Sequence, residues 1–263
     1  MGIGGKTLWL ALGVLASFSL VLPQAPSVRT EQEPAAPPPL PRPLEEIVQR
    51  FAEKEVEYAR AHARYAYRLS IKLQELDGAG SVLGEFTEVL EVSLSPTGRR
   101  IGRIVEGPTS SLQHLPITRV ELFDLSEVPL FTVRPEDLSL YRFNYVGTQR
   151  IDEVDTFVFQ AIPTTLPRGK ILFEGLLWVD ADKLDIVKLF GRSVPARRGG
   201  VLKDYFQRVE VYREPVDDHL FPTFIQGDDI LRVVDETLRA RLILRFFDHQ
   251  LLSPPAEATP PSP

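Results

Sequence analysis

The sequence predicts a mainly β fold of the α+β kind: a strongly curved antiparallel sheet or unclosed β-barrel, covered by an N-terminal helix and a short helical insertion. Three observations predict it. Period-two alternation of apolar and polar residues recurs from Tyr65 to Phe247, short turns rich in Asp, Gly and Pro separate the runs, and a helical period comes first, at residues 44–63. Strands joined by tight turns must pair antiparallel.

In the helical segment Leu44, Ile47, Val48, Phe51, Tyr58 and Ala59 recur at 3–4-residue spacing, interrupted by Lys54 and Glu55. Pro43 precedes the first turn, where a missing N–H costs nothing, and Glu45 and Glu46 suit the positive end of the helix dipole.

The period then changes to two: Tyr65, Tyr67, Leu69, Ile71 and Leu73 alternate with Ala66, Arg68, Ser70, Lys72 and Gln74. Asp77-Gly78-Ala79-Gly80 reads as a turn, residues 85–94 as the returning strand, Pro96-Thr97-Gly98 as the next turn, and 100–106 as a short third strand. Residues 108–138 are read as a helical or looped insertion, with Thr118 capping a short helix through Phe123 or Leu125. From Tyr141 the meander resumes, with strands at 141–150, 154–162, 171–179, 184–191, 205–213, 220–226, 230–234 and 238–247. Ten or eleven strands result. In 171–179 both faces are largely apolar (Ile171, Phe173, Leu177 and Val179 against Leu172, Leu176 and Trp178), so both need cover. In 239–247, Ala240, Leu242, Leu244 and Phe246 share one face, and arginines mark the other.

The chain has 263 residues, 43% of them apolar, and a net charge of −6. Trimmed of its ends, that is enough for one domain with a sizeable core. Thirty basic residues are scattered among 36 acidic ones, which argues against a nucleic-acid surface. The absence of cysteine excludes disulfides, thiol nucleophiles, cysteine-ligated zinc and a lipid-modified cysteine.

Residues 1–22 carry Lys6 and then an apolar run from Leu8 to Leu22, suited to a signal peptide and short of the roughly 20 apolar residues that a spanning helix needs. The segment is either cleaved or kept as an N-terminal anchor. Both outcomes place the domain outside the cytoplasm, in the periplasm or otherwise exported. Residues 23–43 hold eight prolines and read as a semi-rigid linker; residues 253–263 hold five and read as a disordered tail. The folded domain is expected over 44–252.

Chemistry-bearing patterns are sparse. The acidic groups Asp152/Glu153/Asp155, Asp180/Asp182, Asp217/Asp218 and Asp228/Asp229 all fall at expected turns, where Asp bonds local backbone, so no metal site is assigned. His62, His114, His219 and His249 are far apart in sequence and form no paired-histidine motif; no serine sits in a nucleophile elbow. No catalytic residue and no cofactor are expected.

Three phrases carry a resemblance. Tyr145-Val146-Gly147-Thr148 with Val154-Asp155-Thr156-Phe157-Val158-Phe159, then Phe173-Glu174-Gly175-Leu176-Leu177-Trp178-Val179-Asp180, then Leu220-Phe221-Pro222-Thr223, resemble successive strands of the LolA-like, periplasmic outer-membrane lipoprotein-sorting family. Val154-Asp155-Thr156 lacks the glycine that usually follows the aspartate. The likeness spans 141–247 and implies a half-barrel lidded by helices; it carries over no functional residue.

The expected function is non-enzymatic binding of a lipid, a lipoprotein acyl chain or another apolar ligand, as in a carrier between membranes. The expected lining is Phe51, Leu69, Ile71, Leu90, Val92, Phe157, Phe159, Phe173, Leu177, Trp178, Leu242, Leu244 and Phe246. Two alternatives stay open: an envelope interaction or sensing module with a self-filled core and a protein partner near the membrane, and an envelope hydrolase.

Overall fold

The computed structural model describes residues 37–95, 97, 99–115, 133–195, 206–233 and 236–252. The expected signal segment, most of the proline-rich linker, the Thr118 helix and the tail lie outside these residues.

Helix α1 runs Leu44–His62, and the amides of Glu46 and Ile47 bond the Pro43 carbonyl at its start. Ten strands follow: β1 Tyr65–Leu76, β2 Val82–Leu94, β3 Arg100–Ser110, β4 Tyr141–Ile151, β5 Val154–Pro163, β6 Leu172–Asp180, β7 Ile186–Val194, β8 Val209–Val216, β9 His219–Val233 and β10 Glu236–Leu251. A 3-10 turn, Pro135–Leu140, precedes β4. All pairings are antiparallel, in one sheet of order β3-β2-β1-β10-β9-β8-β7-β6-β5-β4. β3 and β4 are its two edges and do not pair with each other, so the barrel is unclosed.

Four expectations change. Strand β3 extends to Ser110, which takes residues 108–110 out of the expected insertion. The expected strands at 220–226 and 230–234 are one strand, β9. Asp228 stands opposite Arg241 on β10 and binds its Nε at 2.7 Å, so Asp228/Asp229 is a mid-strand pair and not a turn. The 205–213 strand starts later, at Val209, and runs on to Val216, leaving Asp217-Asp218 as the turn.

The other turns are built as their chemistry dictates. The Asp77 carboxylate accepts the amides of Ala79 and Ser81, and Asp180 accepts those of Asp182 and Lys183.

Alternation sets the two faces of the sheet. Odd positions of β1 and even positions of β10 face α1: Leu69 is opposite Phe246, Ile71 opposite Leu244, and Leu73 opposite Leu242. This concave face and the apolar stripe of α1 (Ile47, Val48, Phe51, Ala52) form one core cluster, to which every strand but β3 contributes. Leu40 packs against it too, so packing begins inside the proline-rich stretch. Where β6 crosses β7, Gly175 lies opposite Gly191, and the Phe173 ring covers both. A Cβ on Gly175 would sit 2.2 Å from the Phe190 carbonyl oxygen, so only glycine permits this close approach.

Candidate functional site

Twelve of the thirteen expected lining residues lie in the concave core cluster: Phe51, Leu69, Ile71, Leu90, Val92, Phe157, Phe159, Phe173, Leu177, Leu242, Leu244 and Phe246. Each is buried, and α1 is seated among them. The Phe51 ring lies 5.8 Å from Phe143 and 5.9 Å from Phe159. Trp178 is the exception. It points out of the opposite, convex face with Val158 and Val187, donates Nε1–H to Gln149 at 2.7 Å, and carries Lys188 Nζ 4.8 Å above its ring. Position parity already separates it from Phe173 and Leu177, and it does not line the trough.

Helix α1 changes character along its length. Its first half is apolar. At Glu55 it inserts a carboxylate into the core, where Arg213 of β8 meets it with two hydrogen bonds of 2.5 and 3.1 Å. Both side chains are almost wholly buried. Arg213 also stacks 4.2 Å over the Tyr58 ring. Burial raises the proton affinity of Glu55 and outweighs the field of Arg213. The preceding residue, Lys54, binds Asp185 of the β6–β7 turn at 3.1 Å. The helix is thus tied to the sheet at its middle by charge. Two signals could have found this pair: Glu55 interrupts the apolar stripe, and Arg213 shares the inward parity of Val209 and Val211.

The C-terminal end of α1 closes on an aromatic cluster around Phe221. Three of the four histidines, His62, His219 and His249, contact its ring, with centroids 5.2, 5.8 and 5.7 Å away, as do Tyr58 and Tyr65. Sequence separation hid this convergence. Arg100 of β3 caps the helix, bonding the His62 and Tyr65 carbonyls and His62 Nδ1. Burial foremost, then the charge of Arg100, pulls the His62 pKa down to about 3, so the ring is neutral.

Beside Glu55 the surface opens. A cleft of about 570 Å³ lies between Lys54–Tyr58 of α1 and the β4–β5, β6–β7 and β8–β9 turns. Its apolar wall is Ile151, Val154, Val187 and Leu220, and acidic side chains such as Asp152, Asp217 and Asp218 stand on its rim. The acidic turns thus cluster at one end of the sheet.

Compared with solved structures, the chain is similar to a LolA superfamily protein from Nitrosomonas europaea, at 14% identity and a TM-score of 0.35, over 80% of this chain and 94% of that one. It is similar to a protein described as an outer membrane lipoprotein-sorting protein domain, from Vibrio parahaemolyticus, at 13% identity and a TM-score of 0.38, over 80% and 95%. It is also similar to the MucA/MucB complex structure of Pseudomonas aeruginosa, at 11% identity and a TM-score of 0.23, over 80% and 99%. No protein-family model matches the sequence, and no curated protein does. The half-barrel that the sequence resemblance implied is the architecture observed: an unclosed antiparallel sheet covered by the N-terminal helix.

Proposed function

We propose that the protein is an exported, non-enzymatic binding protein that takes an apolar chain, a free lipid or the acyl chain of a lipoprotein, onto the concave face of its sheet when α1 moves aside. The observation that carries this reading is the mismatch between lining and cover. Nine strands present a continuous apolar surface, whereas α1, the one long helix among the described residues, covers it with an apolar stripe only in its first half and is held beyond that by the buried Glu55–Arg213 ion pair. A buried pair of that kind contributes little net stability and sets register, so the helix is a cover that can be exchanged. A sixteen-carbon chain offers on the order of 12 kcal/mol gross at ~0.8 kcal/mol per buried methylene, to set against the exposure of Ile47, Val48, Phe51 and Ala52 when the helix lifts.

A second reading, an envelope interaction or sensing module with a self-filled core, is favoured by one observation: the described trough residues are close-packed against α1, whereas the open cleft is at the turn end. Native mass spectrometry of protein purified from its own envelope separates the two. A retained acyl species, and saturable uptake of a fluorescent fatty acid by delipidated protein, supports the first. Protein that takes up neither a fatty-acyl probe nor a lipoprotein overturns it.

A further inference from the structure

We propose that the cleft between the C-terminal half of α1 and the strand turns is a docking groove for a cationic peptide segment of a partner protein. It is separate from the trough and does not depend on what the trough binds.

The first argument is shape. The 570 Å³ cleft adjoins a second hollow of about 440 Å³ lined by Ala61, Arg64, Tyr65 and Leu251; the two share Asp217, Asp218 and His219, and Tyr65 donates its hydroxyl to Asp217 at 2.6 Å between them. Together they trace an elongated course along the helix, which suits an extended chain better than a compact solute. Its wall offers apolar purchase at Ile151, Val154, Val187 and Leu220, residues fixed by the Trp178 cluster behind them.

The second argument is charge. Eight carboxylates and four cations line the two hollows, an excess of four within a chain whose net charge is −6. Two of those cations are already engaged, Arg213 by Glu55 and Lys54 by Asp185. Glu57, Asp152, Glu214 and Asp218 have no ion pair or hydrogen bond to their carboxylates among the described residues. Elsewhere on the sheet several acids are matched by cations: Asp228 by Arg241, Glu85 by Lys72, Glu91 by Arg103. The unmatched carboxylates are spread along the cleft, and among the described residues no three acidic or histidine side chains are grouped to hold one metal ion. A spread negative field with an apolar wall is complementary to a chain that alternates basic and apolar residues.

The third observation is a hydrogen-bonding group held in reserve. Tyr58, on the cleft wall, is only 6% exposed, and its hydroxyl has no partner among the described residues. A buried hydroxyl without a partner is costly, and a bound backbone would relieve that cost once the wall opens enough to expose it.

The test is fluorescence anisotropy of the full chain with an end-labelled, end-blocked Lys-Leu-Arg-Leu-Lys peptide. Asp152 and Asp217 sit at φ 49° and 51°, a backbone that asparagine also accepts, so Asp152→Asn, Asp217→Asn and Asp218→Asn remove charge without straining the turns. We expect saturable binding that weakens about tenfold in the triple variant, and again when salt is raised to about 0.5 M. Equal unfolding midpoints confirm that the variant is folded, and exposed Glu57→Gln, expected to weaken binding about threefold, gives a second reading should it not be. No binding, binding that the substitutions leave unchanged, equal binding of Glu-Leu-Asp-Leu-Glu, or full competition by millimolar calcium or spermine overturns the proposal. Fatty-acid uptake in the same sample reads the trough separately.

Discussion

Glu75 is a carboxylate with no exposed surface, on the inward parity of β1 after Leu69, Ile71 and Leu73. It survives there because the backbone of residues 113–115 wraps it: the amides of Gln113, His114 and Leu115 donate to it at 2.9, 2.6 and 2.7 Å. Burial alone would push its pKa up, but these three amides and His114 outweigh that and hold it below the usual carboxylate range. A depressed carboxylate stabilises the fold above its unfolded pKa, and that stability is lost as pH falls through the folded value. Glu75→Gln should therefore cost about 2 kcal/mol at pH 7 in urea unfolding, because an amide NH₂ would face backbone donors. The difference from the parent should shrink below about pH 4, as the parent loses its own advantage. An unchanged difference at pH 3.5 would show that the charge is not what holds the loop. A charged residue on a buried parity was the legible sign here; its partners, 38–40 positions on, were not.

Helix α1 was legible to within a residue from its period, whereas its tether was not, since Glu55 and Arg213 stand 158 positions apart. Removing one partner leaves the other charge buried and uncompensated, so Glu55→Gln or Arg213→Met alone should cost about 3–5 kcal/mol. Glu55→Leu with Arg213→Met should return to within about 1 kcal/mol of the parent or exceed it. A double variant that stays about 3–5 kcal/mol below the parent would mean that the pair is net glue and α1 no exchangeable cover. The end of the same helix gives a pH dependence. His62 is faced by Tyr58 on its own helix, Tyr67 on β1, Arg100 on β3, Arg213 on β8, Phe221 on β9 and His249 on β10. With a folded pKa of about 3, it stays neutral while the unfolded chain takes a proton below about pH 6.5, so stability falls with acidification across that window. Between pH 7 and 4.5 the loss from this group is roughly 2–3 kcal/mol. His62→Phe should flatten that part of the urea-derived stability profile. A profile as steep as the parent's would assign the acid sensitivity elsewhere.

At the scale of the whole molecule, hairpin succession was readable, because turn chemistry at Asp77, Asp152, Asp180 and Asp217 marks four of the reversals. Two things were not. The Asp228-Asp229 pair reads as a turn locally, and only Arg241 on the neighbouring strand makes it strand interior. The order of the sheet was equally hidden, since no local signal says that β1 pairs with β10. That pairing runs from Tyr65 opposite Leu251 to Leu76 opposite Arg239, and it puts the last strand of the chain between β1 and β9, in the sheet's interior. The β1–β3 meander and the β4–β9 meander share no strand boundary until β10 is in place. β10 also supplies Leu238, Ala240, Leu242, Leu244 and Phe246 to the core. Contacts this distant in sequence make folding slow and leave the sheet incomplete until the last strand pairs. A chain ended at residue 235 should therefore show no cooperative thermal transition and should be cleaved rapidly by trypsin, whereas one ended after Leu252 should melt within a few degrees of the parent. A folded, protease-resistant fragment 37–235 would mean that the two meanders form a sheet without their central seam, and the trough would then have to be drawn as two separable halves.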